Sequence, residues 1–255
     1  MNREENCMLD PMASFEVKNL IPIHFLTFDL SITNSAAYMM LTVVMILVFF
    51  GIGTRNAGMI PTKMQCVIER MFFFIGDIVK TNAGDHGAKL FPYMFSLFLF
   101  IGIGNIIGLL PFAFSFTSQL IVTIGMACIV FVISIIIGIY CNGLHYFRHF
   151  CPKGLPSYII PFFVVVELIS FIFRPISLGI RLFANIVAGH VMIKIIAGFA
   201  VSFVSTVTWS GIAIVPVAFN VLLNVFKLAV CILQAYVFVV LSCMYLAESM
   251  AHEED

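Results

Sequence analysis

Charge is what this sequence has least of. Of its 255 residues, 13 are Lys or Arg and 13 are Asp or Glu, a charged share of 10%, whereas an ordinary soluble domain is roughly 25% charged. The two signs cancel, so the basic excess that binds nucleic acid is missing and no nucleic-acid partner is expected. The seven cysteines (Cys7, Cys66, Cys128, Cys141, Cys151, Cys231 and Cys243) are scattered without a C-x-x-C, which speaks against a disulfide framework or a metal site. Several lie in apolar runs, where Cys behaves as a small hydrophobe. The leading stretch "MNREENCMLDPMASFEV" is acidic and lacks the apolar core, roughly 7–15 residues long, of a secretory signal. The first apolar run is therefore expected to act as the insertion signal.

What is present is hydrophobic surface, with 62% hydrophobic residues and a mean hydropathy of +1.10. This composition predicts an all-α integral membrane protein, with an outer-side segment 1–35 followed by one membrane domain over 36–255. The run "AAYMMLTVVMILVFFGIG", 36–53, is the length of a minimal spanning helix. Residues 61–84 differ, because Lys63, Arg70 and Asp77 recur every seven residues against an apolar side of Met71, Phe72, Phe74, Ile75 and Ile78. That pattern predicts an amphipathic, membrane-associated helix; a spanning helix is the weaker reading. Two further spanning helices are expected, over about 90–110, ended by Pro111, and 119–140.

Two very long apolar runs close the sequence, about 156–201 and 211–248. Since roughly 20 residues cross a bilayer core, each run is either two spans or one long, tilted helix. No strong turn signal cuts the first run between Arg174 and Ala197, which favours a hairpin of two long tilted helices. The break is expected near "SFVSTVTWSG", 202–211, where Ser and Thr cluster ahead of Pro216. Lys and Arg concentrate in 54–89 and 141–157 and are sparse before residue 35, so the N-terminus is expected outside and the C-terminus inside.

Five charged residues lie within these long runs: Glu167, Arg174, Arg181, Lys194 and Lys227. A charge at the bilayer centre costs at least ~2.5–3.5 kcal/mol on insertion scales, and such residues usually face a partner or a water-filled path. Glu167, Arg174 and Arg181 are seven apart, nearly the same helix face, and Asn185 follows one turn later. His190 and Lys194, four apart, fall on the opposite side. In the last run Asn220, Asn224, Lys227, Cys231 and Gln234 advance by alternating fours and threes, with Glu248 further on. Two polar-striped helices in one hairpin can line a path for protons or ions.

Bland readings stand beside these. Arg174 and Lys194 can each snorkel to the interface, and Asn105 can serve as a helix–helix contact as readily as line a channel. Arg181, with long apolar stretches on both sides, is harder to explain structurally. His145 and His149 have a metal-pair spacing, but a solvated loop explains them better than zinc.

The segment "LGIRLFAN", 178–185, resembles the Leu-Gly-x-Arg-Leu-Phe-x-Asn run of the a subunit of the F-type ATP synthase membrane sector. "ILQAYVF" at 232–238, "NIIGLLPFAFSFTSQL" at 105–120 and "FEVKNLIPIHF" at 15–25 resemble further segments of that family, in order along nearly the whole chain. The resemblance implies a proton-conducting stator beside a rotating ring of c subunits, held by peripheral-stalk b subunits and the other ATP synthase subunits in the lipid bilayer. The implied location is the bacterial inner membrane, with the mitochondrial inner membrane as the alternative. Arg181 matches the arginine that faces the ring carboxylate; Arg suits that task because its pKa stays above about 12 and it cannot relay the proton. Asn185 and Gln234 match the polar residues around it, Glu167 a carboxylate near the inner half-channel, and His190 with Lys227 the pair lining the outer half-channel. Asn105, Asn220, Asn224, Arg174 and Lys194 are candidates for channel lining.

The departure from the family pattern is at that last pair. One member is usually a carboxylate and the other often a histidine, whereas this chain has His190 and Lys227. Histidine titrates nearest neutral pH, so His190 is expected to accept the proton while Lys227 tunes the local field or pairs with a carboxylate elsewhere. No cofactor and no chemistry of the subunit's own are expected. The alternatives fare worse. A self-contained ion transporter would commonly show two related halves, and no internal repeat is present. An intramembrane enzyme would need a nucleophile beside its base, yet Ser170 and His190 are about 30 Å apart along one helix, and there is no His-Glu-x-x-His.

Overall fold

The computed structural model describes residues 19–21, 24–25, 28–29, 31–55, 61–110, 113–143, 160–206 and 214–250. Over these the chain is an all-α membrane protein with six α-helices: α1 Asn34–Thr54, α2 Lys63–Gly87, α3 Phe91–Gly108, α4 Leu120–Asn142, α5 Ile160–Thr206 and α6 Ile214–Met250. Five of them, all but α2, are long and apolar enough to cross a membrane. Four short strands precede them: β1 Asn19–Ile21, β2 His24–Phe25, β3 Phe28–Asp29 and β4 Ile32–Thr33. They pair antiparallel as β1 with β4 and β2 with β3, an addition that the sequence reading did not foresee. The loop carrying His145 and His149, and the turn between α5 and α6, lie outside the described residues.

Local chemistry explains where the helices begin. The Thr33 hydroxyl accepts the backbone N–H of Ala36 (3.4 Å), and the Thr62 hydroxyl that of Gln65 (3.4 Å), each satisfying a donor that a helix leaves unpaired at its first turn. Pro92 and Pro216 sit in the first turns of α3 and α6, where a missing N–H costs nothing. Pro175, by contrast, lies inside α5, a break in the hydrogen-bond ladder that membrane helices tolerate when neighbouring groups compensate. Gly84 near the end of α2 has φ +60, a left-handed conformation that favours glycine.

The described chain forms two compact units: residues 1–47, 100–119 and 182–235, and residues 48–99, 120–181 and 236–255. In the first, Ile101, Phe116, Leu182, Ile186 and Ala235 are fully buried. Phe116, in the turn after α3, packs on Phe100 with ring centroids 5.0 Å apart, and Gly102 of α3 faces the Ala235 side chain of α6. In the second unit, Ile75, Met94, Leu178, Phe238 and Val239 form the buried core. The aromatic face of α2 packs on α3 there, with the Phe72 and Phe91 centroids 4.5 Å apart. Helix α4 approaches α5 so closely that a Cβ added to Gly179 would stand 2.8 Å from the Ile124 Cα. Much of the remaining helical surface is apolar and exposed, Val44, Ile121, Phe162 and Val225 among it, as lipid contact requires.

Candidate functional site

The charges in the long helices fall into distinct settings, best described unit by unit. In the second unit, Arg174 of α5 is held by two carboxylates. Its Nη2 lies 3.6 Å from Glu167 Oε1, two turns back, and its Nη1 donates to Glu248 Oε2 on α6. The Phe171 and Tyr245 rings flank the guanidinium at 6.0 and 5.9 Å, near the limit for a cation–π contact. Arg174 is thus tied between helices rather than reaching alone for the interface.

Beside it, α4 is bonded to α6. The Ser134 hydroxyl donates to the Tyr245 carbonyl (3.0 Å) and lies 2.6 Å from the Ser249 hydroxyl, while the Asn142 amide donates to the Ser249 carbonyl (3.0 Å). A cavity of about 20 Å³ remains among Phe131, Ser134, Phe171, Arg174, Tyr245, Glu248 and Ser249, room for about one water.

Arg181 is different. It lies two residues past the close approach at Gly179, and its side chain is exposed. Both ion pairs found among the described residues belong to Arg174, and Arg181 makes none. Around it, Ser177, Ile180, Ala184 and Ala188 are exposed as well, while Leu178, Leu182 and Ile186 are buried. One face of α5 therefore presents an arginine on a strip of mostly small side chains, with the large apolar ones turned inward. Asn185 is half-buried at the edge of that face.

In the first unit the basic residues converge. The Lys227 stem lies against the backbone of α5, so that a Cβ on Gly189 would stand 2.9 Å from Lys227 Cε and 3.1 Å from Cδ. The absent side chain at 189 is what makes room for the lysine. The charges of Lys227 and Lys194 both act on His190, so the three basic groups share one neighbourhood. Lys227 is only 7% exposed, and its Nζ has no hydrogen-bond partner among the described residues.

Two turns further along α6, Gln234 is buried and its Nε2 is likewise unpartnered. The polar stripe of α6 is therefore graded: Lys227, Cys231 and Gln234 are buried, whereas Asn224 is exposed and donates to the carbonyl of Asn220 (2.9 Å). Asn105 accepts a hydrogen bond from the Thr117 hydroxyl (2.9 Å), which fastens the turn after α3, and its amide nitrogen is buried without a partner among the described residues.

Sequence reasoning singled out Arg174, Glu167 and Glu248 but not their joining, nor the serine pair, which comes from helices more than 100 residues apart. No cluster of three or more His, Cys, Asp or Glu able to hold a metal occurs among the described residues.

Comparison with known proteins points one way. The profile of the family described as ATP synthase A chain matches residues 36–247. The chain is similar to the ATP synthase subunit a of Parvibaculum lavamentivorans, 41% identical over 95% of this chain and 94% of the relative. It is similar also to that of Hyphomonas neptunium, 41% identical over 95% and 96%, and to that of Agrobacterium fabrum, 42% identical over 94% and 97%.

Proposed function

The chain belongs to the ATP synthase subunit a family, and from that premise we propose that it is the static, proton-conducting neighbour of a rotating ring of c subunits. The observation that carries this reading is the exposure of Arg181 in the middle of a membrane-crossing helix. A charge turned out of an apolar helix needs an opposite charge, and no carboxylate among the described residues forms an ion pair with it. A carboxylate carried past on the ring supplies that charge. The small residues at 177, 184 and 188 leave space for another helix to approach closely.

The rest of the mechanism follows from the properties of the groups. The guanidinium stabilises the ionised form of the passing carboxylate and, with a pKa above about 12, cannot pass the proton on itself. Protons therefore reach and leave the ring by two separate half-channels instead of leaking straight across. His190, with Lys227 beside it, serves the outer half-channel as the titrating group. Glu167 serves the inner one, where the Arg174 cluster and its water-sized cavity lie. Asn185 and Gln234 orient and solvate the charges around Arg181, and Asn105, Asn220, Asn224, Arg174 and Lys194 line the paths.

In this reading, segment 1–35 lies on the outer side and 36–255 is one membrane domain of the bacterial inner membrane, with its C-terminus inside, as the Lys and Arg distribution supports. Peripheral-stalk b subunits hold it still.

A cysteine in place of Ala184, paired with a cysteine introduced beside the ring carboxylate, tests the arrangement in the assembled complex. The expected result, on adding a mild thiol oxidant, is a disulfide that joins this chain to the ring and stops rotation. Absence of any such link from positions 177, 184 and 188 alike would overturn the reading.

A further inference from the structure

His190, Lys194 and Lys227 all lie in a stretch of the first unit that carries no carboxylate of its own. The stretch 182–235 contains no Asp or Glu, and neither does 100–119; the acids of that unit all lie in its leading residues, Glu4, Glu5, Asp10, Glu16 and Asp29. Cys231, one turn from Lys227 on α6, is a thiol and a weak acid. Lys227 meanwhile sits at 7% exposure with its ammonium nitrogen buried and unpartnered among the described residues, and its stem is fixed against Gly189, so it cannot swing out without losing that packing. A buried ammonium persists only when paired and hydrogen-bonded.

We propose that Lys227 forms a buried ion pair with a carboxylate brought in from outside α5 and α6. That carboxylate comes either from the leading segment of this chain, where Asp29 is the acid nearest the membrane helices in sequence, or from a membrane helix of another subunit. A tethered carboxylate fits better than a free anion, because a dissolved anion would have to shed its water to reach so buried a site, whereas a protein side chain is desolvated once, on assembly. The inference goes beyond the stator reading. It is drawn from the burial of the Lys227 ammonium alone and does not depend on whether the cluster carries protons.

The assembled complex in its native membrane, treated with a membrane-permeant carbodiimide, provides the test. The reagent converts the carboxyl group to an O-acylisourea; the Lys227 amine attacks its carbonyl, the disubstituted urea leaves with one carboxyl oxygen, and an amide joins the two side chains. Mass spectrometry of the digest is expected to show Lys227 linked to an acidic peptide. A peptide from residues 1–35 assigns the partner to this chain, and a peptide from another subunit assigns it to the assembly. Lys227→Met adds a readout of opposite sign. If the carboxylate is present, this variant strands it and lowers the temperature at which the complex dissociates. If it is not, the variant removes an unpaired buried charge and raises that temperature.

Lys227 recovered unlinked, while other lysines of the complex react, together with a raised dissociation temperature in Lys227→Met, would overturn the proposal. So would a dissociation temperature that depends on chloride or phosphate in the medium, since a free anion would then be the partner. Neither result bears on the link between Ala184→Cys and the ring, so failure here leaves the stator reading standing.

Discussion

The two charge clusters of the long helices make an instructive pair. Around Arg174 the chain supplies both signs: one guanidinium, two carboxylates, two flanking rings and hydrogen-bonded serines nearby. Around Lys227 the stretch 182–235 supplies two lysines and a histidine and no carboxylate, and the Lys227 ammonium is buried without a hydrogen-bond partner among the described residues. Membrane burial penalises unpaired charge strongly, so the first cluster is balanced within α5 and α6, and the second, in the proposed reading, is balanced by a carboxylate from outside them. Exposed Arg181 belongs with the second kind. For a subunit of the F-type ATP synthase complex the contrast has a functional sense. In the proposed reading, groups that deal with partners or moving charge are left unbalanced within α5 and α6, and groups that hold the long helices together are balanced.

The largest expected effect comes from the unbalanced side. In the proposed reading His190→Ala removes the titrating group of the outer path, and proton flux through the assembled complex is expected to fall about a hundredfold, the lower end of what a positioned acid–base group contributes. Normal flux in reconstituted vesicles would transfer the role to another group and dissolve the contrast. Next come the two glycines that let helices approach. At Gly179 the added Cβ meets the backbone of Ile124 (2.8 Å from Cα, 3.0 Å from N), which cannot yield, so Gly179→Ala is expected to cost about 2–3 kcal/mol, in the upper part of the range for overpacking. At Gly189 it meets only the Lys227 stem, so Gly189→Ala should cost about 1 kcal/mol. Dissociation temperatures of the two variants rank them, and equal losses would contradict the geometry.

On the balanced side, Arg174→Met leaves Glu167 and Glu248 without their cation. These side chains are a quarter to a third exposed, so solvent screens the pair and the loss is expected to be about 1 kcal/mol, between a surface and a fully buried bridge. Double substitution with Glu248→Gln should recover part of it. A loss in the double variant equal to the sum of the two single losses would show that the pair does not act as a unit.

Much of this was legible in the sequence. Five apolar runs announced the crossing helices, and the seven-residue recurrence of Lys63, Arg70 and Asp77 set α2 apart, because hydropathy and periodicity are local properties of the chain. The arginine and the convergent polar residues were visible as charges where charge is costly. The partnerships were not. Arg174 and Glu248 are 74 residues apart, and only the folded hairpin brings them together. Nor could spacing tell that the α6 stripe would be buried at Lys227 and Gln234 yet exposed at Asn224, since burial depends on which neighbours cover the face. The strand pairs of the leading segment are two or three residues long, too short for an alternating pattern to register. Gly189 gave no signal either, because its meaning lies in the lysine stem that rests against it.

The most direct measurement is proton-driven ATP synthesis by the assembled complex carrying Arg181→Ala. The account predicts that coupled synthesis is abolished, because the ring carboxylate loses the charge that holds it ionised and the two half-channels lose the barrier between them. Synthesis that persists at a substantial fraction of the unmodified rate would contradict it.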